Sequence, residues 1–353
     1  LPRIKNTSVG WRLFRILNDL FDFTEGDLSQ SSINDLAKRV SDQSSEPNWV
    51  SEVLGHRANL STIVTNLSTR SDADAGLEGL SLYHYLDASH LLSRPHTPGH
   101  ASQHAIRPSY TVRLSEVLGS VPSTLKELNT LVGSWLSSQI RESTKYTTTR
   151  LPIRFPFKAP EEGVINHLLE QALGDVALTD EETYQLIHAV GWSLMVWHHE
   201  NHRSLQILAT GHSPFHQVSC PASVAKLFSQ FPNCRFVMIA GSGEQAHRFL
   251  ELAARVPNLS IAGFGSGGFV TETLATELLI RLQTVPIFKQ AGFLSHAPNA
   301  EWTYGNLQIV RRSYAKALAS MIEDDLIHEN DVEPILKAVL NTAPAEIYGL
   351  SSR

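Results

Sequence analysis

Leu205-Gln-Ile-Leu-Ala209, Arg235-Phe-Val-Met-Ile-Ala240, Leu259-Ser-Ile-Ala262 and Gly292-Phe-Leu-Ser295 are four short runs rich in apolar residues. Helical patterns separate them, over about 222–231, 243–255 and 271–283, with Asp180–His199 ahead and Thr303–Asp324 and Asp331–Leu340 behind. Short, nearly continuous apolar runs suit strands buried on both faces. Strand and helix alternate every 25 to 30 residues or so, the spacing of right-handed βαβ crossovers and a parallel sheet.

The reading extends upstream. Trp11–Phe21 places Leu13, Ile16, Leu17 and Leu20 on one helical face, and Ile33–Val40 and Trp49–Leu54 repeat the pattern, with Pro47 suited to a helix start. The period then changes: Leu60–Thr65 and Leu80–Leu86 read as buried strands. Residues 93–110, with three prolines and His96, His100 and His104, read as a loop; Pro122 opens a helix to Ile140, and Arg150–Phe157 reads as a Pro-punctuated strand. Strands are thus expected near 61, 81, 151, 205, 236, 260 and 292. A closed (β/α)8 barrel needs an eighth. The expected fold is an α/β, TIM-type (β/α)8 barrel with its first strand missing, divided into a helical insertion at 1–58 and a barrel at 59–353. An open doubly wound sheet also tolerates seven strands.

Charge and composition narrow the function. The chain has 353 residues, 42% hydrophobic, and 29 Lys and Arg against 35 Asp and Glu, a net charge of −6. It can bury a core, and it lacks the overall basic character of a nucleic-acid or membrane-surface binder. The only cysteines, Cys220 and Cys234, rule out a cysteine zinc cage and fit a reducing compartment, so a cytoplasmic place is expected. The sequons at Asn6, Asn59, Asn66 and Asn258 are read as chance matches.

Several residues could carry chemistry. Gly263-Phe-Gly265-Ser-Gly-Gly268 matches G-x-G-x-x-G after a strand and before a helix, but the following strand leads to Ser295-His296 rather than to an acid for a ribose. The preferred reading is a βα loop whose glycines allow close backbone approach. His198, His199 and His202 end a helix and are expected to interact with its dipole. His212, His216 and His296 follow strands, on the catalytic face of a barrel, and could contribute to a metal site. Glu244 and Glu301 are the βα-loop carboxylates available for general acid or base work, with helix N-terminal stabilisation as the plainer reading.

The pattern Arg235-Phe-Val-Met-Ile…Leu252-Ala…Asn258-Leu-Ser-Ile-Ala…Gly265-Ser-Gly267-Gly-Phe269, with Val310-Arg-Arg-Ser…Val339-Leu-Asn341…Ile347-Tyr348-Gly349-Leu350, resembles the uronate (glucuronate) isomerases of the amidohydrolase superfamily. Leu60–Thr65 also falls where that family places its second barrel strand. The resemblance implies a (β/α)8 barrel with extra helices that interconverts an aldose and a ketose sugar acid, with one divalent metal such as zinc or manganese. Three family features are absent or changed here. The first-strand His-x-His has no counterpart in the sequence. The histidine expected near 207 meets Leu208, and Asp-x-Arg after the last strand meets His296-Ala297-Pro298. Two readings follow: an isomerase-like enzyme with an altered site, His296 and Glu301 catalytic and His296 with His212 on the metal, or a degenerate barrel with a binding role. A nucleotide-binding α/β protein is a third. The expected partner is a small sugar acid, with neither nucleic acid nor membrane, and a homo-oligomer is an open option.

Overall fold

In the computed structural model, the residues described are 4–24, 30–66, 77–93, 110–151, 155–156, 158–174, 176–209, 221–240, 244–264 and 269–350. Their strands are β1 Thr62–Asn66, β2 Ser81–Asp87, β3 Thr144–Thr149, β4 Ser204–Ala209, β5 Arg235–Ala240, β6 Leu259–Ala262 and β7 Gln290–Ala291. The helices are α1 Ser8–Phe21, α2 Gln30–Ser44, α3 Trp49–Ser51, α4 Ser89–Leu92, α5 Tyr110–Leu118, α6 Leu125–Gln139 and α7 Glu162–Leu173. They continue with α8 Asp180–Glu200, α9 Pro221–Ser229, α10 Glu244–Arg255, α11 Thr271–Thr284, α12 Ala300–Glu323, α13 Val332–Lys337 and α14 Ala343–Tyr348.

The sheet runs β1-β2-β3-β4-β5-β6-β7, and every neighbouring pair is parallel. A doubly wound sheet must reverse its strand order at a switch point. This one never does, so the doubly wound alternative falls and the barrel-like, singly wound arrangement stands: a curled parallel sheet. Val64, Tyr85, Tyr146, Leu208, Val237, Ala262 and Ala291, one from each strand, share an interior apolar cluster with Ala343, Ile347 and Tyr348. The alternate residues Leu205, Ile207, Phe236, Met238, Leu259 and Ile261 face the outer helices. Burying a strand on both faces requires this alternation of destinations without an alternation of polarity.

Two strand expectations need correction. The third strand is Thr144–Thr149, and the described residues of 150–157, which are 150, 151, 155 and 156, lie outside the sheet. Pro152 and Pro156 lack the N–H that a central ladder needs. The β-branched Thr144-Lys-Tyr-Thr-Thr-Thr149 run pairs with both neighbours, and its threonines are buried. The last strand ends at Ala291, because Gly292 N–H donates to the Val339 carbonyl at 2.8 Å and the chain leaves the ladder there. Helices α5 and α7 lie where the sequence reading had none, and the C-terminal helical segment continues past Leu340 to Tyr348. The loop expected at 93–110 falls mostly outside the described residues.

Polar groups brace the outer layer. Asn258, ahead of β6, donates through Nδ2 to the carbonyls of Phe228, Phe231 and Cys234 at 2.9 to 3.1 Å. This sequon asparagine therefore holds the turn after α9. His198 also departs from expectation. It is fully buried, its Nδ1–H donates to the Leu194 carbonyl at 2.6 Å, and Nε2 has no hydrogen-bond partner among the described residues. Burial lowers its pKa to about 4, so it is neutral and carries no charge for a helix dipole to stabilise. No described helix is long and apolar enough to cross a membrane.

Candidate functional site

In a barrel the reactive groups come from the C-terminal ends of the strands and the loops that follow them. On β4 the interior positions are Ser204, Gln206 and Leu208. Ser204 Oγ donates to the Ile347 carbonyl at 2.7 Å, Gln206 Oε1 accepts from Tyr348 at 2.6 Å, and Leu208 joins the interior apolar cluster. The strand end thus presents a hydrocarbon. On β2, Asp87 Oδ1 accepts from Ser89 N–H at 2.9 Å, an Asx-type turn that starts α4. Tyr85, one turn of pleat earlier, hydrogen-bonds Asn66 of β1; burial, then the Asp87 charge, raise its pKa.

After β7 the chain runs without regular secondary structure through Phe293 and Leu294 to His296. That residue adopts a left-handed backbone, φ 46°, and is exposed overall. Desolvation by its surroundings lowers its pKa, favouring the neutral imidazole. Ser295, just ahead, is anchored through its carbonyl, which accepts from Asn306 Nδ2 at 2.7 Å. Asn299 caps α12, its Oδ1 accepting from Trp302 N–H at 3.0 Å. Glu301, in the first turn of α12, accepts from Trp49 Nε1 at 2.6 Å, a link to the N-terminal helical region. No hydrogen bond or ion pair joins Glu301 to His296. His212, His216 and most of the glycine motif lie outside the described residues. Gly263 itself has φ 54°, and a Cβ there would lie 2.8 Å from Leu294 Cδ1, so close approach explains the glycine without a ligand.

Among the described residues, no group of three His, Cys, Asp or Glu side chains could hold a metal. The described strand-end residues Asn66, Tyr85, Asp87, Thr148, Leu208 and His296 do not form such a group, and Leu208 offers no donor.

The sequence reading missed the residues beside the Ser295 anchor. Arg12 on α1 donates through Nη1 to Asn306 Oδ1 and lies 5.3 Å from the ring centroids of both Phe269 and Trp302. The amphipathic period of α1 was visible, but the partners lie more than 250 residues away in the chain, beyond the reach of any local pattern.

No protein-family model and no curated protein matches the sequence. Solved structures do. The crystal structure of uronate isomerase from Thermotoga maritima superposes with a TM-score of 0.77 at 12% identity, covering 98% of this chain and 80% of that one. Glucuronate isomerase from Caulobacter crescentus gives 0.76 at 14%, covering 99% and 76%. A uronate isomerase from Bacillus halodurans gives 0.64 at 14%, covering 98% and 78%. With a singly wound parallel sheet and near-complete coverage, the chain has the fold of the uronate isomerases.

Proposed function

We propose that this chain is a uronate isomerase-like barrel that accepts a sugar acid at its strand-end face, with a catalytic centre altered enough to leave little or no isomerase turnover. The observation that carries this is Leu208, packed into the interior apolar cluster at a strand end where the resemblance calls for a histidine. His296-Ala297-Pro298 in place of Asp-x-Arg supports it: an imidazole supplies no fixed negative charge, and Pro298 offers no guanidinium for a carboxylate. Moving a proton between adjacent carbons through an enediol needs a base and charge stabilisation on rigid strand ends. Glu301, the nearest acidic candidate in sequence, spends an oxygen on Trp49.

The same reading covers the sheet edges. Strands β1 and β7 do not pair with each other among the described residues, and that gap is where an eighth strand would complete the barrel. If a metal is recruited, His296 with His212 is the pair to test, and neutral imidazole is the ligating form.

The test is conversion of glucuronate to fructuronate by the purified chain with added zinc or manganese, beside His296→Asp. No turnover by the parent, with metal binding gained in His296→Asp, is the expected result. Robust turnover by the parent refutes it.

A further inference from the structure

An arginine held without a carboxylate partner, half-buried, beside a loop that should meet substrate is an anion site in waiting. Arg12 meets that description. Among the described residues it meets Asn306 Oδ1, the Ser8 carbonyl at 3.4 Å from Nε, and the two aromatic rings, and no acidic side chain pairs with it. Among the described residues, Nη2 makes no hydrogen bond.

Its position is built rather than accidental. A Cβ on Gly305 would lie 2.7 Å from Ile16 Cδ1 and 3.7 Å from Arg12 Cβ, so the missing side chain lets α1 lie directly on α12. Tyr304 OH donates to Asp19 at 2.8 Å and locks the same pair of helices one turn further on. Trp302 lies in the first turn of α12, and Phe269 precedes α11. Both therefore belong to segments at the C-terminal side of the sheet. Asn306 bridges Arg12 to the Ser295 carbonyl, one residue from His296. Aromatic faces hold a guanidinium's plane and leave its edge donors for a ligand.

We propose that Arg12 is a binding residue for the carboxylate of a sugar acid, supplying from α1 the guanidinium that Pro298 denies to the loop after β7. This rests on the reading of the strand-end face as a sugar-acid site. It adds which residue selects the acid over the neutral sugar. The fork-shaped donor pair of an arginine suits a carboxylate, and a charge-assisted contact of this kind is worth about tenfold or more in affinity.

Calorimetric titration of the purified chain with sodium glucuronate, its methyl ester and glucose, at matched ionic strength, tests it. The parent should bind glucuronate about tenfold or more tighter than the ester or glucose. Arg12→Gln should abolish that preference and leave glucose binding unchanged, and Arg12→Lys should restore part of it. Equal affinity of the parent for acid and ester overturns the proposal, as does absent glucuronate binding; neither result needs a variant to fold. So does an Arg12→Gln variant that melts like the parent and still prefers the acid. Isomerase turnover by the parent bears on the preceding proposal alone. If it occurs, a KM raised by Arg12→Gln keeps Arg12 in its role, and an unmoved KM removes it.

Discussion

Tyr348 donates its hydroxyl proton to Gln206 Oε1 at 2.6 Å, joining the C-terminal helix α14 to the middle of strand β4 across 142 residues. The bond is buried and belongs to a set. Gln206 Nε2 donates to Thr148 Oγ1 at 3.2 Å, Ser204 Oγ donates to the Ile347 carbonyl, and the Tyr348 ring lies 4.4 Å from that of Tyr146. Helix α14 therefore plugs the sheet interior near the start of β3 to β5 and satisfies the polar groups that it covers.

Tyr348→Phe keeps the ring and strands the Gln206 acceptor. The expected loss is about 1–3 kcal/mol of unfolding free energy, the cost of an unpaired buried polar group. Urea denaturation of the two proteins side by side reads it, and an unchanged midpoint would show that water already serves Gln206.

Asn258→Ala removes one amide group from three carbonyls at once. The expected destabilisation is again about 1–3 kcal/mol. Asn258→Asp should do no better, since an acid oxygen cannot donate to those carbonyls when ionised. Thermal melts of both variants decide it.

Gly292 has no room for a methyl. A Cβ there would lie 2.3 Å from Tyr314 OH and 2.9 Å from the Val339 carbonyl. Gly292→Ala should cost about 1–3 kcal/mol through overpacking. The Tyr314 hydroxyl is buried without a hydrogen-bond partner among the described residues, so Tyr314→Phe alone should be neutral or stabilising. The double variant should melt above Gly292→Ala, and a double variant no better than the single would place the strain on Val339 instead.

His198 makes stability depend on pH. Its folded pKa, about 4, lies below the unfolded value near 6.5, so the unfolded chain takes the proton first. Stability from this group is complete above about pH 6.5 and declines as pH falls toward 4, by about 3 kcal/mol. His188, whose Nε2–H donates to the Lys158 carbonyl and whose pKa burial also lowers to about 4, adds in the same direction. His198→Leu should flatten part of the slope between pH 7 and 5 in guanidinium titrations; an unaltered slope assigns it to other groups.

The parallel sheet was legible before any coordinates, because a strand covered on both faces must be apolar on both. Leu205–Ala209 and Arg235–Ala240 announce that burial locally. Strand β3 was not legible: Thr147 and Thr148 are buried, yet threonine says nothing by itself about burial, and the Thr148 hydroxyl is matched to Gln206 only after folding. At the candidate site, the sequence showed that Leu208 offers no donor, but it put His296 directly after a strand at 292–295, whereas β7 ends at Ala291. It did not tell that Glu301 is engaged by Trp49, or that Arg12 meets Asn306, Phe269 and Trp302. Periodicity and propensity act over a few residues, and these decide the elements. Partners 250 or more residues apart in the chain meet only when helices pack, and the α1–α12 contact that Gly305 permits is what brings them together.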